Sequence, residues 1–406
     1  MTVATAPSNI APITAEQIKH LTNSQYLAQP YPAPILKASF KGSASDFQVD
    51  ELMQLEHSGE GEHLWMQIKK TGMNTNFVAE QLAKWAKIPS RDVGYSGLKD
   101  RQAVTTQWFS LRIPKGQLPE ISFKEFIHTS TRPTRSHHSS NQEGILDSQE
   151  AVEVLQQVWH SKKLNRGTHK SNRFVIRLTD IELNPEVAPT IDDVDKVLLI
   201  IAKAGVPNYF GEQRFGRQGN NIASALEWFE EGTIHGRPPH PKKSRDLQSL
   251  LLSSARSAIF NQIVCARVAQ SDWNTGLNGE VFNLEGSGSV FATQHMDDEL
   301  KQRLASGDIH PTAPLWGVNN DKVTGDAKAL EDQIVANHPI LQRLAHGLIK
   351  KDLKTMRRAI RLPVSDLTWS WREVIMDKHE LILHFTLPTG TFATSVLANL
   401  VAELSQ

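Results

Sequence analysis

Strand-forming segments stand near both ends of this chain with a mostly helical block between them, and that arrangement restricts how its 406 residues can fold. From Leu36 to Ile68 the pattern is of strands, with Phe47 and Val49 alternating with polar neighbours and Gly59-Glu60-Gly61-Glu62 supplying a turn before His63-Leu64-Trp65-Met66. Val104 to Ile113 places Phe109, Leu111 and Ile113 on one face of a strand. Asn172 to Leu178 alternates cleanly, with Phe174, Ile176 and Leu178 opposite Arg173 and Arg177. Strand pattern returns at Leu367–Trp371 and Glu380–Leu387, before a Pro388-Thr389-Gly390 turn and a closing helix through Leu397 and Leu400. Helices are expected after Asn74 or Thr75, burying Phe77, Val78, Leu82 and Trp85 and stopped by Pro89, and over Asp192–Ala204, Leu247–Val268 and the basic stretch Leu341–Arg361. The simplest architecture is one sheet domain interrupted by an inserted domain, with the C-terminal strands completing the first sheet. Its boundaries fall at 1–35 for a loose leader with one short helix, where Thr14 and Gln17 have capping-box spacing, then 36–204, an insert over 205–361, and the return over 362–406. Residues 128–146, rich in Ser, His, Thr and Arg without a period, read as a mobile loop.

Charge narrows the function. Lys plus Arg equals Asp plus Glu, 44 against 44, so any contact with a polyanion must come from local patches. Two stand out. Lys162, Lys163, Arg166, Lys170, Arg173 and Arg177 lie between Ser161 and Leu178 with no acid among them. Arg343, Lys350, Lys351, Lys354, Arg357, Arg358 and Arg361 share one stretch with only Asp352. A charge run is usually a solvated face; two in a neutral protein suggest one basic side able to follow an RNA backbone. The one cysteine, Cys265, excludes an internal disulfide and any multi-thiolate metal site. There is no CxxC, HExxH or Walker lysine motif, and Gly286-Ser287-Gly288 lacks the third glycine and preceding strand of a dinucleotide site. Neither a metal nor a nucleotide cofactor is expected. His137, His138, His235 and His240 sit in loop-like sequence and read as solvated or structural. The first thirty residues lack the basic start and apolar block of a secretion signal, and the run Val197–Ala202 is far short of the ~20 residues of a membrane span, so a soluble cytoplasmic protein is expected.

The segment Gly94-Tyr95-Ser96-Gly97-Leu98-Lys99-Asp100-Arg101-Gln102-Ala103-Val104-Thr105-Thr106-Gln107 sets an acid between two bases, after a glycine-punctuated turn and before a strand. By local chemistry alone it is a capping turn with solvated cations. Its wording, GLKDRxAxTxQ, resembles the catalytic-aspartate motif of the TruD family of tRNA pseudouridine synthases. Other landmarks follow in the order of that family: Lys41 with Asp46-Phe47-Gln48-Val49-Asp50-Glu51, then Gly59-Glu60-Gly61-Glu62-His63, Asn172-Arg173-Phe174, the segment Val206–Gly216, Ser254–Asn261, and Phe385–Val396. The leader and the 128–146 loop are extra length relative to this pattern.

The resemblance implies an α+β fold: a pseudouridine synthase core with a central mixed, mainly antiparallel sheet flanked by helices, interrupted by an inserted α/β TRUD domain over 205–361. It implies conversion of uridine to pseudouridine at position 13 in the D arm of tRNA, without a cofactor or an obligatory protein partner. Breaking the N1 glycosidic bond builds positive charge at the ribose, which calls for a carboxylate. Asp100 is the matching residue, either trapping C1′ or removing the C2′ proton. Lys41 matches the lysine that keeps this acid ionised; Lys99 is adjacent, but neighbours on an extended segment point apart. Phe174 matches the aromatic against which a flipped base stacks, although its alternation with Ile176 and Leu178 is that of an ordinary core face. Asn172 and Phe47 are weaker members of the same site. Lys162, Lys163, Arg166, Lys170, Arg357 and Arg358 are the expected RNA contacts. A noncatalytic RNA-binding or chaperone protein on the same scaffold is the alternative, against which an acid retained before a phosphate polymer argues. An RNA methyltransferase is disfavoured, because no glycine-rich turn follows an early strand.

Overall fold

The structure, a computed structural model, describes residues 13–53, 58–130, 150–318, 322–374 and 378–405. Its chain order begins with β1 (Ile35–Ser39), β2 (Phe47–Leu52), β3 (His63–Thr71), β4 (Val93–Tyr95), β5 (Val104–Arg112), β6 (Ala151–His160) and β7 (Ser171–Leu183). An excursion follows through β8 (Val206–Pro207), β9 (Val281–Leu284), β10 (Val290–Ala292), β11 (Ile309–Leu315), β12 (Met356–Ala359) and β13 (Arg361–Leu362). The chain then returns as β14 (Ser365–Glu373), β15 (His379–Pro388) and β16 (Val401–Ser405). Two compact units result. One comprises Ala33–Ala202, Val364–Ala393 and the stretch from Leu400; the other comprises the chain up to Pro32, Lys203–Pro363 and Thr394–Asn399.

The first unit is built on a ten-stranded sheet of order β14-β15-β7-β2-β5-β3-β6, with β1, β4 and β16 attached beside that path. Only β2–β5 and β1–β16 run parallel; the other pairs are antiparallel. Alternation decides what faces inward. Leu64, Met66 and Ile68 of β3 and Phe109 and Leu111 of β5 are buried together beneath the helix Thr75–Ala86, which contributes Val78, Leu82 and Trp85. That helix starts after Asn74 and ends at Lys87, whose left-handed backbone (φ 53°) closes the last turn before Pro89. Burial on this scale is the main favourable term in folding.

The second unit contains the 29-residue helix Pro241–Ala269, the helices Asn220–Glu231, Gly325–Ala336 and Pro339–Lys350, and a four-stranded sheet of order β10-β9-β11-β12. The short helix expected in the leader is present. Thr14 caps the helix Ala15–Thr22 in a reciprocal box with Gln17, and that helix buries Ile18 and Leu21. A side chain on Gly219 would strike Ile18 at 2.6 Å, which shows how closely the leader lies on this unit.

Three expectations change. The basic stretch Leu341–Arg361 is not one helix: it ends at Lys350, Asp352 turns with φ 52°, and the chain runs on as β12 and β13. The closing segment stops as a helix at Leu397, and Val401–Ser405 is instead a strand parallel to β1. Residues 123–130 form a helix, so only part of the supposed 128–146 loop is described; its remainder, including His137 and His138, lies outside the described residues.

The short β4 sits where a β-carbon has no room. A methyl on Gly94 would meet the Leu164 carbonyl at 2.3 Å and Ser110 Oγ at 2.6 Å, atoms fixed by the bond from Leu164 N–H to that Oγ. Gly94→Ala should therefore cost about 1–3 kcal/mol through overpacking. A calorimetric melt of the purified variant checks this; an unchanged transition would mean that the 161–170 loop yields freely.

Candidate active site

Asp100 lies on the turn between β4 and β5, and the hydrogen bonds that hold that turn run from its buried base to its exposed rim. Gly97 O accepts from Gln107 Nε2 at 3.2 Å, and Lys99 N–H donates to Thr75 Oγ1 at 2.9 Å. The same Thr75 hydroxyl donates to Gln107 Oε1 at 2.9 Å, linking the start of a helix to the interior of β5. Arg101 Nε donates to Gly72 O at 3.1 Å. A loop pinned at successive backbone groups holds its side chains in a fixed direction.

Two cations hold Asp100 itself. Lys41 Nζ donates to Asp100 Oδ2 at 2.6 Å. The lysine is the buried partner, with its side chain 8% exposed against 42% for the aspartate, so the carboxylate is accessible. Lys41 reaches it from a left-handed backbone position (φ 62°), with its ammonium 4.5 Å from the Phe47 ring centroid and 5.1 Å from that of Phe40. Lys70 is fully buried and donates to Asp100 O at 3.1 Å and Met73 O at 2.5 Å. Burial pushes its ammonium down to about 8, against the opposing pull of Asp100. Lys99 turns away from Asp100 and forms a 3.0 Å ion pair with Glu51, both side chains being almost wholly buried.

Glu51 leads to the remaining members. Burial raises its pKa, opposed by Lys99 and by the Trp108 N–H. His169 lies 3.8 Å from it, and burial first, then Lys99, lowers the imidazole to about 4, so the ring is neutral near pH 7. Its Nδ1 is 2.5 Å from Ser96 Oγ and its Nε2 is 3.3 Å from Asn172 Nδ2. This fits a tautomer in which Nδ1–H donates to Ser96 and Nε2 accepts from Asn172. The Oδ1 of Asn172 is buried with no partner. Phe174 is 6% exposed, stacked on Phe385 at 5.4 Å and beside Phe47 at 6.1 Å. The structure thus brings Asp100, Lys41 and Phe47 into one contact chain that continues to Phe174.

Lys70, Glu51 and His169 were not singled out from the sequence as site residues. Lys70 carried a signal: it occupies the register of Leu64, Met66 and Ile68, where alternation demands an apolar residue.

The expected RNA contacts divide. Lys162, Arg166 and Lys170 are exposed, Arg166 lying 4.2 Å over the Tyr95 ring, and Lys163 Nζ donates to Arg91 O. Arg173 pairs with Asp50, and Arg177 with Glu380 and Asp46, so the run lacking local acids receives them from other strands. Arg357 and Arg358 are corrections. Arg357 has a side chain 4% exposed and an ion pair with Glu331 at 2.8 Å. The Arg358 guanidinium bonds Asn208 Oδ1 at 2.7 Å and lies 4.3 Å over Phe210. Both are drawn inward by strand pairing in place of the expected solvated helix face.

An accessible acid gripped by a buried lysine, on a mixed sheet interrupted by a second unit, agrees with comparisons to known proteins. The pattern of the family tRNA pseudouridine synthase D (TruD) matches residues 31–224 and 241–400. Relatives named tRNA pseudouridine synthase D include one from Psychrobacter arcticus, 50% identical over 397 residues and covering 93% of this chain and 94% of its own length. Another, from Xanthomonas campestris, is 41% identical over 384 residues, covering 93% and 95%. The crystal structure of a Methanosarcina mazei protein assigned as tRNA pseudouridine synthase D (TruD) shares the fold, with a TM-score of 0.65 at 20% identity over 94% of this chain and 96% of that one. The chain belongs to the tRNA pseudouridine synthase D family.

Lys70 gives a test that does not depend on activity. Its folded-state value, about 8, lies below the ordinary lysine value of 10.5, so between these the unfolded chain holds more protons. Its contribution to stability is therefore fully present above the unfolded value and lost as pH falls through about 8. The unfolding free energy of wild type relative to Lys70→Met should rise with pH across this window. A pH-independent difference would mean that the buried amine does not titrate there.

Proposed function

We propose that this chain isomerises uridine 13 in the D arm of tRNA, breaking the N1 glycosidic bond and re-forming it through C5, with Asp100 as the acting carboxylate. Family membership makes the chain a tRNA pseudouridine synthase, an isomerase. The observation that carries the finer reading is the Lys41–Asp100 contact, a solvent-accessible carboxylate fixed at one oxygen by a buried ammonium.

Glycosidic cleavage develops positive charge at C1′, and a carboxylate in a set orientation meets it without reorganising at that moment. Lys41 supplies the orientation through the side chain and Lys70 through the backbone carbonyl of the same residue. Asp100 acts either on C1′ or on the C2′ proton. The target base must leave its stack, and Phe174, supported by Phe385 and Phe47, is the aromatic wall proposed to receive it. Asn172, its amide nitrogen bound to His169, offers an unpartnered Oδ1 as an acceptor beside that wall. The exposed Lys162, Arg166 and Lys170 are proposed to meet the RNA backbone. Among the described residues no helix is long and apolar enough to cross a membrane, and a cytoplasmic location is part of the reading.

Asp100→Asn should abolish pseudouridine formation while tRNA affinity stays within a few fold, because the acid contributes no attraction to phosphate. Pseudouridine mapping in tRNA incubated with purified protein alone reads the first quantity and a binding titration the second. Substantial turnover in the variant would remove Asp100 from the chemistry. Lys41→Met should lower the single-turnover rate by at least about tenfold, equivalent to about 1.4 kcal/mol of barrier. A wild-type rate would show that the Asp100 turn orients the carboxylate unaided.

A further inference from the structure

In the inserted unit Arg214 and Arg256 are partly buried guanidinium groups that meet no carboxylate among the described residues and are not fully hydrogen-bonded. Arg267 is matched to Asp272 and Glu280 at 2.6 and 3.0 Å and Arg357 to Glu331 at 2.8 Å, while the buried Arg361 is satisfied by His310 Nδ1 and the Leu304 and Ile309 carbonyls. Arg214 has one long hydrogen bond, from Nη1 to Ser253 Oγ at 3.3 Å, and its Nε is buried without an acceptor. Arg256 gives Nε to Trp316 O at 2.9 Å and Nη2 to Lys354 O, and its Nη1 remains uncommitted. Burial lowers the pKa of both, the direction expected of a cation held without its anion. Buried charges are ordinarily paired, since an unpaired one is costly.

These groups meet at one place. A pocket of about 220 Å³ is lined by Ser249, Ser253, Arg256 and Ser257, which share a face of the helix Pro241–Ala269. Phe210, Leu252, Leu315 and Leu353 form its apolar side, and Arg214 reaches it through its bond to Ser253. Arg214 lies 5.4 Å from the centre of the Phe210 ring, and Arg358 lies 4.3 Å from it. The Arg358 guanidinium is pushed down to about 10, first by burial and then by Arg214. Like charges have thus been gathered around one ring beside a hollow with a serine face and a leucine face. The Ser253 hydroxyl accepts from Arg214 and retains its own proton for donation.

We propose that this pocket is a phosphate site, in which Arg214, Arg256 and Ser253 hold a phosphodiester of the RNA substrate. A phosphate supplies the missing anion and the acceptor oxygens that a guanidinium fork matches in pairs. It explains why the cluster tolerates uncompensated charge in a protein whose net charge is zero. The proposal rests on the tRNA reading, and a free phosphate monoester or inorganic phosphate is the competing source of the same chemistry.

The test compares wild type with Arg214→Gln, which loses one long hydrogen bond and the contact with the Phe210 ring, and with Ser253→Ala, which keeps the comparison open should the first fail to fold. The dissociation constant for tRNA is measured across a salt series, and melting temperatures are measured with and without inorganic phosphate. In Arg214→Gln, loss of one charged phosphate contact should lower the slope of log affinity against log salt by about 0.7–0.9 and weaken binding at every salt concentration, whereas Ser253→Ala should weaken binding with the slope kept. That result supports the RNA assignment. Unchanged tRNA binding in the variants, with a phosphate-dependent rise in wild-type melting that the variants abolish, would place free phosphate in the pocket and overturn it. Unchanged tRNA binding and no phosphate response in folded variants would overturn the site altogether. Wild-type conversion of uridine in the same tRNA is measured alongside; its absence would count against the proposed reaction, whatever the slopes show.

Discussion

The arrangement around Asp100 depends on a buried ion pair. Lys99 and Glu51 meet at 3.0 Å with almost no exposure, one on the turn before β5 and the other on β2, so the turn is tied to the middle of the sheet by opposite charges. Such a pair adds little net stability, because desolvating two ions costs about as much as their attraction returns, but loss of one partner leaves a buried uncompensated charge. Its value here is positional. By taking Lys99 to Glu51, it presents the next side chain, Asp100, on the other side of the strand-like turn.

From that anchor the other contacts follow in order. Glu51 faces His169, whose neutral ring leads to Asn172, and Asn172 is two residues before Phe174 on β7. Lys70 completes the support from below by binding the Asp100 carbonyl. The polar groups behind the carboxylate thus form one connected network, in which a change at His169 or Ser96 reaches Asp100 only through positions already fixed by hydrogen bonds. The aromatic run Phe47, Phe174, Phe385 forms the adjoining apolar half.

Much of the sheet was legible from period alone. Phe109 and Leu111, or Ile176 and Leu178, are apolar at every second position and buried as that pattern demands. What escaped was determined at long range. The strand Ala151–His160 is an edge strand with most residues exposed or half-buried, so it carries no clean alternation to read. Leu397 and Leu400 have helical spacing, yet the segment after them is held by β1. The charge run ending at Arg361 looked solvated because its partners, Glu331 for Arg357 and His310 for Arg361, come from other parts of the insert. At the site, the acid and its flanking cations stand out as a local cluster. Glu51 does not, and Lys70 shows only as a charge in the apolar register of Leu64, Met66 and Ile68, which by itself does not say what it binds.

The pairing of β1 with β16 has a further consequence. Ser39 and Ser405 exchange a hydrogen bond 366 residues apart, and Ile35 lies in register with Val401. During synthesis, therefore, β1 emerges long before the strand that covers one of its edges, while its other neighbour, β7, is also well downstream. Until β16 is made, the nascent sheet carries an open, hydrogen-bond-hungry edge, and closure must await that distant strand and the non-local entropy it requires. Maturation of this protein is thus expected to be slow relative to its helical portions and sensitive to crowding by other nascent chains, a vulnerability set by topology and not by any residue of the site.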